Sequence, residues 1–154
     1  MSADGNNPEY ATLLMCLAAT LQSQGRHTEA LDLREKALAF RRRVLPVDHP
    51  DIANAMDQTA SSYSALGRHA EALELREKAL AFVRRVLPAD HPDIANAMSN
   101  TATSYYALGR HFEALQLREK DLAFVRRVLP ADHPHIATAM KNTASSYSAL
   151  GRHA

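Results

Sequence analysis

Cysteine is almost missing from this chain, and so is every signal that would send it into or across a membrane. A single thiol, Cys16, cannot close an internal disulfide, which fits a reducing compartment and makes the cytoplasm the expected location. The opening residues MSADGNNPEY carry neither the basic nor the apolar stretch of a secretory leader. No run approaches the ~18 consecutive apolar residues of a membrane helix, so no membrane partner is expected. A charge excess is lacking too: 18 Lys and Arg stand against 17 Asp and Glu, which removes any global drive toward nucleic acid. There is no glycine-rich phosphate loop, no Gly-x-Ser-x-Gly elbow and no aperiodic pair of carboxylates. Catalytic sites are asymmetric and this sequence is almost wholly periodic, so neither enzyme activity nor a cofactor is expected.

What the chain does have is a repeat. Gly25, Gly67, Gly109 and Gly151 are 42 residues apart, as are Pro8, Pro50, Pro92 and Pro134. Residues 25–66 and 67–108 agree at 34 of 42 positions, and 67–108 and 109–150 again agree at 34. Composition alone cannot produce such regularity.

Each period reads as two helices. The first is expected from about Asp51 to Leu66, where Ile52, Ala55, Met56, Thr59, Tyr63 and Leu66 share one arc of the helical wheel. Ala53 and Ala60 flank that arc, where another helix can approach closely. Asp48 is the expected N-cap, with Pro50 in the first turn and Asp51 reaching back as in a capping box. Asn6-Asn7-Pro8-Glu9 repeats this logic for a first helix near the N-terminus. Gly67 ends the helix, since glycine enters the left-handed region without Cβ strain. The second helix, about Ala70 to Leu87, carries Ala72, Leu73, Leu75, Ala79, Leu80, Phe82, Val83, Val86 and Leu87. So wide an apolar surface must meet neighbours on two sides. Arg84 and Arg85 suit its C-terminal dipole, and Pro88 stops it. A Gly-Arg-His link of about three residues forces the pair antiparallel. One hairpin cannot bury its own faces and stacked hairpins can, so the reading is all-α: an α-solenoid of antiparallel helix hairpins. Three 42-residue repeats plus a half repeat, seven helices in all, occupy 8–154, after a short disordered tail at 1–7.

The string Ala60, Tyr63, Leu66-Gly67, Glu71-Ala72-Leu73, Lys78-Ala79-Leu80 resembles the tetratricopeptide repeat (TPR) signature. The 42-residue period, followed by Asp90-His91-Pro92-Asp93-Ile94-Ala95, is similar to the longer repeats of kinesin light chains. The resemblance covers 8–154 and implies a right-handed superhelix whose first helices line a concave groove that holds an extended peptide. The chain departs from that pattern at His27, His69 and His111, where family members usually carry an aromatic. It departs again at Pro46, Pro88 and Pro130, where they carry glycine, and in a half-present Asn-Asn pair, Asn100 and Asn142.

Comparing the repeats with one another locates the candidate site. The first-helix copies differ chiefly at Asn54/Asn96/Thr138, Asp57/Ser99/Lys141, Gln58/Asn100/Asn142, Ser61/Thr103/Ser145 and Ser64/Tyr106/Ser148. These positions fall on a single arc of about 120° opposite the apolar one. Amide and hydroxyl groups offer donors and acceptors to an extended backbone, so these fifteen residues are the expected peptide-binding surface of a protein-interaction scaffold. Drift of unconstrained exposed positions would give the same variability, and the competing function is a self-assembling array with no dedicated ligand.

Seven of the eight histidines recur with the repeat and read as caps rather than metal ligands. Only His135 is aperiodic, and no metal site is expected. Arg41-Arg42-Arg43, Arg84-Arg85 and Arg126-Arg127 are interleaved with acids and read as solvated faces, not a nucleic-acid stripe. Asp121 stands where Ala37 and Ala79 occupy what the TPR resemblance implies is a small helix-packing position. The first helix, with Tyr10, Leu13, Leu14, Met15, Leu17 and Leu21, is more apolar than its copies, and Met15 and Cys16 replace polar groove residues. The helix at 134–150 is followed by Gly-Arg-His-Ala rather than a full second helix. Both ends are therefore expected to be sticky, and self-association through them is the expected homo-oligomeric contact.

Overall fold

The computed structural model describes residues 7–151, and among them are seven helices: α1 (Pro8–Ser23), α2 (His27–Val44), α3 (Pro50–Ala65), α4 (His69–Val86), α5 (Pro92–Ala107), α6 (His111–Val128) and α7 (Pro134–Ala149). The expected boundaries hold to within a residue or two at each end. Of the expected tail, residues 1–6 lie outside the described set, and Asn7 caps α1 by accepting the Glu9 N–H on its side-chain oxygen.

Each first helix ends the same way. Gly25, Gly67, Gly109 and Gly151 have φ between 66° and 77°. In the second copy the Gly67 N–H donates to the Ser64 carbonyl at 3.0 Å and the Arg68 N–H to the Tyr63 carbonyl at 2.9 Å. This is the paired closure that a left-handed residue allows, and a Cβ there would be strained.

The helix starts differ from the expectation. The N-cap of α3 is His49, not Asp48: its Nδ1 accepts the Asp51 N–H at 3.1 Å, and His91 and His133 repeat this on α5 and α7. Asp51 does not close a capping box either. The His49 N–H already donates to the Pro46 carbonyl at 3.0 Å, and Pro88 and Pro130 serve His91 and His133 alike. The recurring prolines in these links therefore supply the acceptor that a capping-box acid would have supplied.

The chain forms two compact units, one up to Ala79 and one from Leu80. In the first, α1 packs on α2 and α2 on α3; in the second, α5 packs on α6 and α6 on α7. The close contacts are made by alanine. Ala18, Ala30, Ala37, Ala55 and Ala60 are fully buried in the first unit, Ala102 and Ala114 in the second. Larger side chains fill around them: Leu21, Leu31, Leu38, Phe40, Ile52 and Met56, then Ile94, Met98, Leu115, Phe124 and Val125.

Polar pins cross these interfaces. The buried Arg34 of α2 donates from Nη1 to the Ser62 hydroxyl of α3 at 2.6 Å and to the Gln22 side chain of α1. In the second unit, Arg118 of α6 donates to the Ser146 hydroxyl of α7 at 2.7 Å and to the Asn142 carbonyl at 2.9 Å. A guanidinium presents five donors in a fixed fork, so it can serve two helices at once. Tyr63 and Tyr147 add a second pin by donating their hydroxyls to Glu35 and Glu119, one helix earlier.

Candidate functional site

The fifteen variable positions lie on the first helices, but they are not uniformly open. In the first unit, Asn54 is exposed and accepts from the Gln58 amide at 2.9 Å. Asp57 and Ser61 are half-buried and turn toward α4, where Arg76 comes within 3.4 Å of the Asp57 carboxylate and 3.3 Å of the Ser61 hydroxyl. Ser64 is half-buried. In the second unit, Asn96, Thr103, Thr138, Lys141, Ser145 and Ser148 are exposed, whereas Ser99, Asn100, Tyr106 and Asn142 are half-buried.

Tyr106 is the clearest departure from a freely offered side chain. The Arg118 guanidinium sits 4.9 Å from its ring centre, and the His111 ring meets its edge at 4.7 Å. Such stacking contributes about 1 kcal/mol to fixing the ring and removes it from the set of mobile contacts. Met15 also corrects an expectation: it is buried in the core rather than replacing a groove residue, while Cys16 beside it is exposed.

Sequence reasoning passed over the recurring arginines Arg34, Arg76 and Arg118, which are 6%, 9% and 8% exposed. Burial lowers the pKa of Arg34 and of Arg118, although both stay charged at any ordinary pH. Arg118 lies under the arc of the second unit, where the fifteen positions contribute Lys141 and no acid. The missed signal was invariance: Arg34, Arg76 and Arg118 never change between copies, and neither do Ser62, Ser104 and Ser146.

Two aperiodic residues, Asp121 and His135, influence one another electrostatically in the second unit. Asp121 is 2% exposed with an Oδ1 that has no hydrogen-bond partner. Burial pushes its carboxyl up to about 6, and His135 of α7 pulls in the other direction. One arginine of each periodic basic run is held as well: Arg43, Arg85 and Arg127 lie over Phe40, Phe82 and Phe124 at 5.3–5.5 Å. Among the described residues no three His, Cys, Asp or Glu side chains gather as metal ligands would, and no helix is long and apolar enough to cross a membrane.

The sequence profile described as tetratricopeptide repeat matches residues 9–85, 58–120 and 93–154. The chain belongs to the tetratricopeptide repeat family. Among solved structures, it is similar to a kinesin-light-chain-type protein of Podosopora anserina with nearly identical TPR-like repeats. That likeness has a TM-score of 0.86 at 29% identity over 95% of this chain and 69% of that one. It also matches BtubC (BKLC) from P. vanneervenii with a TM-score of 0.85 at 19% identity, a likeness of fold alone, over 95% of this chain and 59% of that one. No curated protein matches. The expected class, an all-α TPR repeat of the solenoid type, is thus shown by helices, profile and structural likeness together, and TPR repeats generally mediate protein–protein interaction.

Proposed function

We propose that this TPR protein is a non-catalytic interaction scaffold, and that the first-helix arcs within each unit bind an extended peptide segment. The observation that carries the reading is a contrast along α5 and α7. Their apolar positions and the buried serine, Ser104 in α5 and the Arg118-bonded Ser146 in α7, are unchanged between copies, while the exposed arc carries Asn96, Thr103, Thr138 and Lys141, whose amide, hydroxyl and ammonium groups suit backbone and carboxylate partners. The partner is a protein or peptide rather than nucleic acid or membrane: one arginine of each basic run, Arg43, Arg85 and Arg127, lies over a phenylalanine ring, and the net charge is only +1. A cytoplasmic setting suits the exposed, unpaired Cys16.

The test is selection of peptides from a random displayed library, followed by titration into the parent chain and a variant carrying Asn96→Ala, Thr103→Ala and Thr138→Ala. All three residues are exposed, so stability should stay within about 0.5 kcal/mol. Selected peptides should lose at least about tenfold in affinity, equivalent to ~1.4 kcal/mol. Unchanged affinity would remove the arc from the account. A second reading, self-assembly without a dedicated ligand, is favoured by the exposed apolar residues of α1 and α7.

A further inference from the structure

α7 repeats the apolar residues of α5, yet the two helices bury them differently. In α5, Ala95, Met98 and Ala102 are 1%, 3% and 0% exposed. Their counterparts in α7 are Ala137 and Ala144, both exposed, and Met140, which is 48% exposed. α5 is followed by α6, which packs on it, and no helix follows α7 among the described residues. The residues that lose burial therefore mark the face that a leucine-bearing helix covers one repeat earlier. That face is a stripe of small side chains around a single methionine, the shape into which larger side chains of a facing helix fit.

α1 presents the converse surface. Tyr10, Leu13 and Leu17 are 49%, 68% and 51% exposed and stand at i, i+3 and i+7, so they form one ridge. The corresponding residues of α3 are Ile52, Ala55 and Thr59, all buried beside α2. Tyr10 leans its ring edge on Phe40 at 5.2 Å, which holds the ridge in place without covering it. Charge agrees with shape. α1 carries Glu9 and no basic residue, whereas α7 carries Lys141 and His135 and no acid. Lys36, whose side chain is near Tyr10, is already paired with Asp32 at 3.0 Å.

We infer that the α7 face of one molecule receives the α1 face of a second copy, with Leu13 and Leu17 seated against Ala137, Met140 and Ala144, and Lys141 placed toward Glu9. The contact joins two different surfaces, so each pairing leaves a free α1 face at one end and a free α7 face at the other. It rests on the self-assembly reading and not on peptide binding by the arcs. A two-fold α7-to-α7 pairing would set Lys141 against its own copy, and a two-fold α1-to-α1 pairing would place ridge on ridge.

Sedimentation of the full chain from micromolar to near-millimolar protein should show mass rising with concentration. Leu13→Glu and Met140→Glu should each be monomeric, since both residues are exposed and each change spoils one face only. Mixed in equal amounts, the two variants should form a closed one-to-one dimer, because one retains a sound α7 face and the other a sound α1 face. If circular dichroism shows that either variant is unfolded, the milder pair Leu17→Ser and Lys141→Glu carries the same logic, with weakening of about tenfold each and recovery on mixing. A wild-type chain that stays monomeric would overturn both the inference and the self-assembly reading. Self-association by Leu13→Glu alone, or no dimer from the folded mixture, would overturn the α1–α7 contact while leaving self-assembly itself standing.

Discussion

Replacing Asp121 by alanine should stabilise the protein at neutral pH, which is the reverse of what removing a buried polar side chain usually does. Asp121 sits in α6 at the position where Ala37 and Ala79 are almost fully buried, and it is itself 2% exposed. Burial raises its carboxyl from 3.8 to about 6, with His135 acting in the opposite direction. The sign follows from proton linkage. The folded state holds the proton more tightly than the unfolded state, so Asp121 does no harm below pH ~4. Stability is then lost as pH rises through about 6. At ~1.4 kcal/mol per pH unit, keeping this carboxylate in the folded protein at pH 7 costs about 3 kcal/mol, an upper figure since nearby water would screen it. Asp121→Ala should recover most of that and restore the small packing contact of the other copies. Urea unfolding at pH 4.5 and pH 7.5 is the assay: the gain should be about 2–3 kcal/mol at the higher pH and well below half of it at the lower. A clear loss of stability at pH 7.5, or a gain independent of pH, would refute the reasoning and assign Asp121 a partner.

Phe82→Ala should destabilise by about 3–5 kcal/mol in thermal unfolding, whereas Tyr63→Ala should cost less, because Tyr63 is only half-buried. Tyr63 donates to Glu35, which with burial pushes its phenol up to about 12. In an ultraviolet absorbance titration its phenol should ionise above the ordinary tyrosine range, and Glu35→Gln should bring it down. Ser146→Ala leaves the buried Arg118 short of an acceptor and should cost about 1–3 kcal/mol by denaturant melt, although an exposed serine would cost almost nothing.

The features of the fold that were legible in the sequence are those enforced by local chemistry. Gly67 needs a positive φ, Pro50 suits a first turn, and the arc from Ile52 to Leu66 admits one buried side, so helix number and boundaries could be read directly. The caps were misread because competition for one N–H is decided by geometry: the His49 ring reaches the Asp51 amide, and the Pro46 carbonyl takes the His49 N–H, which no residue preference reveals. Arg34 and Arg118 were passed over because a charged residue in a helix reads as solvated, and only tertiary packing shows them bonded to serines of the next helix. The candidate arc was legible as a set of positions but not as surfaces. Variation between copies identifies Asp57, Ser61 and Tyr106 without telling that Arg76 and Arg118 hold them. Asp121 and His135 each stood out as aperiodic, and their proximity belongs to the packing of α6 on α7.

Amide shift mapping of the full chain with a selected peptide tests the central claim most directly. On peptide addition, the largest changes should fall on the exposed arc of α5 and α7, at Asn96, Thr103, Thr138, Lys141 and Ser145, with the second helices little affected. Changes concentrated on the outer positions of α6, such as Gln116, Glu119 and Ala123, with the arc silent, would contradict it.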